Sequence, residues 1–211
     1  MRIAFLLFDG VTALDAVGPY EVLSRLPGAD VRFVAATAGP QLADSGRLAL
    51  VAGDTLDDVP APEIVVIPGG PGTRSLVSDE RVLEWVRAAD RSSRWTTSVC
   101  TGALILGAAG LLDGRRATTH WASLDRLPAY GADPVRERVV TDGKVITAAG
   151  VSAGIDMALR LARQEAGDEI AEAIQLVIEY DPEPPFASGS EPATPPGIVA
   201  LARELTGADS K

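Results

Sequence analysis

The chain is poorest in the residues that build cross-links and metal centres. Of its 211 residues one is cysteine, Cys100, and one is histidine, His120. A single cysteine excludes an internal disulfide, and a single histidine leaves little from which to build a zinc site. Basic residues are outnumbered, 19 against 29 acidic, for a formal net charge of −10. No Lys/Arg cluster offsets this locally, which argues against nucleic acid or an anionic membrane as a partner. No apolar run reaches the roughly 18 residues that a membrane helix needs. The first residues read directly as a strand, RIAFLLF, so no signal peptide is expected and the expected compartment is the cytoplasm.

What is present is an ordinary globular composition, 46% hydrophobic and 23% charged, in a length that suits one domain with a sizeable core. Val31–Thr37 reads as a strand, and the short apolar runs at Arg2–Phe8 and in EIVVIP from Glu63 are continuous rather than alternating. That pattern predicts strands covered on both faces. RLALVAG predicts a further short strand. Helical patterns lie between these runs. One opens at Pro19, which suits a first helical position, and is stopped by Pro27-Gly28. Another spans Asp79–Arg91, with Val82, Leu83 and Val86 at core spacing.

Residues 135–149 read as a β-hairpin turning at Asp142-Gly143. Helices are expected within 151–166 and over 168–179. Strands alternating with helices imply an α/β fold with a mostly parallel sheet. Residues 181–196 then hold six prolines, too many for a helix or a sheet ladder. One domain over 1–211 is expected, with this segment as an extended strap and a last helix in GIVALARELTG.

Cys100 ends the strand-like run of RWTTSVC, and the small-residue helix TGALILGAAGLL begins directly behind it, to be broken at Asp113-Gly114. A nucleophile at such a strand-to-helix elbow stands at the top of a sheet, with small neighbours two residues to either side, here Ser98 and Gly102. A helix N-terminus also favours thiolate over thiol. A lone cysteine is often only a small buried hydrophobe, but this placement favours a nucleophile.

Charge developing on a substrate would need donors. The Thr101 amide is one candidate, and the amides of Gly69 and Gly70 in PGGPG are others, unless that loop is simply a tight turn. A phosphate cradle fits poorly, since the loop lacks lysine and Pro71 lacks a donor. Asp15 sits in the apolar stretch VTALDAVG, either buried with a raised pKa as a proton carrier or placed as a helix-starting cap. Asp9, in a turn, and Glu21, on a polar helix face, are weaker candidates. His120 in ATTHW is the one candidate histidine base, and it reads as structural because Thr101, not a histidine, follows the cysteine.

At these residues the chain resembles the ThiJ/PfpI superfamily, and within it the isocyanide-hydrating branch. The resemblance runs through FLLFDGVTALDAVGPYEVL, the IPGGPG loop, TSVCTGALILGAAGLLDGRRATTHW, TAAGVSAGIDMAL and IEYDPEPPFASGS. It implies a flavodoxin-like α/β sandwich, a homodimer, and addition of water to an isocyanide R–NC to give an N-substituted formamide, without metal or organic cofactor. Cys100 would attack the terminal carbon to give a thioimidate. Asp15 would protonate that carbon, Thr101 would support the site, and Gly150 would lie near the pocket. Ala149 stands where the family often has glycine, and Thr73 and Arg74 are bulkier than their counterparts, which bears on substrate size rather than reaction type. The same superfamily holds cysteine hydrolases or amidases and oxidation sensors, and related domains sense ligands in AraC-type regulators.

Overall fold

The computed structural model describes residues 1–206. The chain forms two compact units, one from Met1 to Ile178 and one from Glu179 onward. The first begins with β1 (Arg2–Leu6), α1 (Ala13–Leu23) and β2 (Asp30–Ala35), then a hairpin of β3 (Gly39–Leu42) and β4 (Ala49–Ala52), and β5 (Asp54–Thr55). There follow β6 (Ile64–Ile67), α2 (Thr73–Leu76), α3 (Glu80–Ser92), β7 (Trp95–Val99) and α4 (Gly102–Ala108). After them come β8 (Arg116–Ala117), a 3-10 helix at Trp121–Tyr130, β9 (Asp133–Pro134), β10 (Val139–Asp142), β11 (Val145–Ala148), α5 (Ala153–Ala166) and α6 (Asp168–Val177).

Seven strands form the main sheet in the order β10-β11-β7-β6-β1-β2-β5. Every pairing is parallel except the β10–β11 hairpin. This is the flavodoxin-like α/β architecture. The unbroken apolar strands follow from its two covered faces. Ala4 and Leu6 of β1 pack with Val82 and Val86 of α3 and Leu104 of α4, while Ile3 and Phe5 pack with Val22 of α1 and Met157 and Leu161 of α5. Ile3, Phe5 and Leu6 are almost completely buried, so each contributes about 1.5–3 kcal/mol. α3 starts where a capping acid stands before its apolar stripe: the Asp79 carboxylate accepts from the amides of Arg81 and Val82.

Local signals and structure part at three places, the first being α4, which ends at Ala108 before Gly110 at φ +81° and not at Asp113-Gly114. Pro19 does not open its helix; it lies inside α1, which begins at Ala13. A proline there forgoes the bond to the carbonyl four residues back, that of Asp15. Packing compensates, because the Pro19 ring lies against the bare Cα of Gly154 in α5. In the β10–β11 hairpin Asp142 pairs with Val145, so the turn is Gly143-Lys144, one residue beyond the expected pair. The Asp142 carboxylate instead accepts from the Arg116 amide at 3.0 Å and from Arg115 Nη1 at 3.1 Å.

In the second unit the proline-dense stretch holds one short 3-10 turn, Glu191–Ala193, before α7 (Pro196–Leu205). Gly207, the expected end of that helix, lies outside the described residues. Among the described residues no helix is long and apolar enough to cross a membrane.

Three strand ends define the place where function is sought. β7 lies between β6 and β11, with β1 next to β6. At their carboxyl ends stand Cys100, the loop 68–72 and the segment 9–12, where open parallel sheets form their binding crevice.

Candidate active site

Cys100 takes φ +56°, a left-handed conformation that non-glycine residues adopt only when surroundings enforce it. Here they do. Its amide donates to the carbonyls of Ala149 at 2.8 Å and Ala148 at 3.1 Å. Its carbonyl accepts from Thr119 Oγ1 at 2.7 Å. A Cβ on Gly102 would collide with the Ile67 carbonyl, which explains why α4 can start so tightly behind the cysteine. The side chain is 6% exposed.

Asp15 occupies the first turn of α1 and is completely buried. Its Oδ2 accepts from the Gly69 amide at 2.9 Å. The Cys100 thiol lies close enough to the carboxyl to lower its pKa, and among the described residues Oδ1 has no hydrogen-bond partner. Burial raises the Asp15 pKa to about 7, against the lowering effects of the Gly69 amide and the thiol. Burial and then the negative charge of Asp15 push the Cys100 thiol upward. The amides of Thr101 and Val151 and the Thr101 hydroxyl point to the sulfur and offset this only in part. The elbow therefore does not by itself yield a thiolate, as its helix start suggests. Desolvation outweighs the dipole of a helix only seven residues long.

The two glycine amides are not open to a ligand. That of Gly69 serves Asp15, and that of Gly70 donates to Thr101 Oγ1 at 2.9 Å. A Cβ on Gly69 would stand 2.5 Å from the Thr101 amide nitrogen and 2.9 Å from Asp15 Oδ2, so only glycine fits between them. The PGGPG loop thus holds Asp15 and Thr101 in place, a role distinct from both readings its sequence invites.

Gly150 borders His120, whose Cδ2 would lie 3.0 Å from a Cβ there. His120 caps the 3-10 helix by accepting from the Ala122 amide through Nδ1, which assigns the neutral ring's proton to Nε2. Burial lowers its pKa, so the ring is neutral at neutral pH. The Asp9 carboxylate accepts from the Leu42 amide at 2.7 Å, and Glu21 pairs with Arg25 at 2.8 Å; neither joins the site. Thr73 is buried with its hydroxyl on the Gly70 carbonyl, and Arg74 is exposed.

Sequence reasoning missed Val151, whose amide faces the sulfur. Its φ of +26° runs against the preference of a β-branched residue, so local pattern gives no signal for it. Among the described residues, no cluster of three or more His, Cys, Asp and Glu side chains is arranged to hold a metal ion.

A cysteine at a strained strand-to-helix elbow, beside a buried carboxyl at the carboxyl edge of a parallel sheet, defines an α/β protein of the flavodoxin-like class. The chain belongs to the DJ-1/PfpI family, whose sequence pattern matches residues 1–164. It is 47% identical over 204 residues to an isonitrile hydratase of Pseudomonas putida, covering 97% of this chain and 89% of that one. It is 31% identical over 186 residues to the HTH-type transcriptional regulator GbdR of Pseudomonas aeruginosa, and spans half of that protein. A crystal structure of a ThiJ/PfpI family protein from Pseudomonas syringae superposes with a TM-score of 0.94 at 39% identity, covering 99% of this chain and 89% of that one.

Proposed function

We propose that this protein hydrates isocyanides to N-substituted formamides, acting in the cytoplasm as a homodimer. The observation that carries the reading is the buried Asp15 carboxyl, with one oxygen unpartnered, facing the protein's one cysteine. The high identity to an isonitrile hydratase supports the substrate class.

The reactive form carries one proton on the Asp15–Cys100 pair. Asp15 takes the thiol proton, and the sulfur bonds to the terminal carbon of R–NC. Asp15 passes the proton to that carbon, giving the thioimidate R–N=CH–S–Cys100. Water then adds to the same carbon, losing one proton to Asp15, and the C–S bond breaks as the electron pair returns to sulfur. The nitrogen ends protonated, Cys100 regains its proton, and R–NH–CHO leaves. The amides of Thr101 and Val151 stabilise sulfur whenever it carries charge. Gly69 and Gly70 act by fixing Asp15 and Thr101, and Gly150 with His120 bounds the space for R. The route uses side chains of this chain and water alone, with no metal or organic cofactor.

An oxidation sensor needs an exposed thiol of lowered pKa; the burial and upward shift of Cys100 favour the hydratase. The test is to incubate the protein with alkyl and aryl isocyanides and follow formamide by mass spectrometry. Product from the wild type and at least a ~10³-fold loss in Cys100→Ala are expected. No product from any isocyanide refutes the reading.

A further inference from the structure

Thr12 stands at the N-cap of α1, yet its hydroxyl makes no cap bond. An N-cap threonine ordinarily accepts from an amide two or three residues on, here that of Asp15. Instead Thr12 Oγ1 donates to Asp44 Oδ2 at 2.7 Å. Asp44 lies in the turn between β3 and β4, and its own amide donates to the Val11 carbonyl at 2.9 Å. The same hairpin grips the segment again through the Leu42 carbonyl, which accepts from the Gly10 amide at 2.7 Å. From Thr12 the connection runs inward: its amide donates to the Gly69 carbonyl at 2.9 Å, and the Gly69 amide donates to Asp15 Oδ2 at 2.9 Å.

We propose that Asp44 is a positioning residue for the Asp15–Cys100 pair, holding the Asp15 turn through Thr12 and setting a negative charge at that turn. The elements around Asp15 leave it in that place. The glycine loop presents the Gly69 amide, the elbow presents Cys100 and the hairpin presents Asp44, while on α5, which packs against α1, Asp156 is paired with Arg138. On α1 itself, Glu21 is paired with Arg25. Arg47, in the same turn as Asp44, forms no ion pair with it among the described residues. The charge of Asp44 acts on the carboxyl, and so on the balance within the pair. The inference rests on Asp15 as the proton carrier of the proposed reaction, and its test uses no isocyanide.

Cys100 is the sole cysteine, so its alkylation by iodoacetamide, followed by intact mass, reports the pair directly. The rate is measured from about pH 5 to about pH 9 in wild type, Asp44→Asn and Asp44→Glu, at low salt and at ~0.5 M salt. Asn keeps an acceptor for Thr12 and removes the charge. The limb governed by Asp15 should move acidward by about 0.2–0.6 pH unit in Asp44→Asn, since losing a negative neighbour eases ionisation. Glu should restore the wild-type limb. High salt should move the wild-type limb the same way and leave that of Asp44→Asn in place. Coincident limbs for wild type and Asp44→Asn, or equal salt responses, overturn the proposal. Should Asp44→Asn not fold, a wild-type limb indifferent to salt overturns it alone. Failure to hydrate isocyanides would leave this measurement intact.

Discussion

Two acidic side chains of the first unit stand at opposite ends of β7, one with little of its side chain exposed and one fully buried, and the structure treats them in opposite ways. Glu165, near the start of β7, has 9% of its side chain exposed. It has a cation and an indole: Arg94 Nη2 at 2.8 Å and Trp95 Nε1 at 2.6 Å. Asp15, at the Cys100 end, has one amide on one oxygen and, among the described residues, no hydrogen-bond partner on the other. Both carboxyls are taken out of water, and only one is compensated. The difference teaches that burial alone does not make a functional acid. A buried carboxyl with its partners supplied is a structural tie; one left short of partners holds its proton near neutral pH and can exchange it.

The sharpest way to break this comparison is to remove each charge in turn. Asp15→Asn should lower kcat for isocyanide hydration by about 10²–10⁴-fold, the range for a positioned acid–base group. Glu165→Gln should leave kcat within about threefold, because Glu165 touches no reacting atom. Comparable losses in both would erase the distinction.

Stability should respond in the opposite sense. The Asp15 pKa is 3.8 in an exposed chain and about 7 in the fold. Below the lower value both states are protonated and burial of the charge costs nothing. Between the two values the unfolded chain ionises first, so stability falls as pH rises. Above the folded value the full penalty applies, about 4 kcal/mol for a shift of about three units. Asp15→Asn should therefore stabilise the protein by about 2–4 kcal/mol at pH 8 and leave it nearly unchanged at pH 4, as read by urea unfolding. The smallest expected effect lies at the other carboxyl. Trp95→Phe removes one hydrogen bond to Glu165 while Arg94 remains, and should cost about 1 kcal/mol as read by urea unfolding.

Much of the architecture was legible because strands covered on both faces must be apolar throughout, and that leaves a continuous trace in RIAFLLF and EIVVIP. The elbow was legible for a similar reason. Gly102 answers to a collision with the Ile67 carbonyl, so steric need writes itself into residue type at a fixed place behind the cysteine. Pro19 was misplaced because its cost is offset by Gly154, a residue 135 positions away, and no local rule contains that partner. The PGGPG amides read equally well as donors or as a plain turn until Asp15 and Thr101 were found on them. His120 read as structural, and its bond to the Ala122 amide accords with that.

The sequence by itself determined that a cysteine would stand at the end of a buried parallel strand, because backbone geometry and side-chain volume act over a few residues. Tertiary structure alone decided that burial pushes this thiol's pKa upward, that Asp15 lies beside it with one oxygen unpartnered among the described residues, and that the hairpin carrying Asp44 grips the turn beside them. Those properties depend on desolvation and on charges brought together from distant positions, and neither exists until the chain has folded.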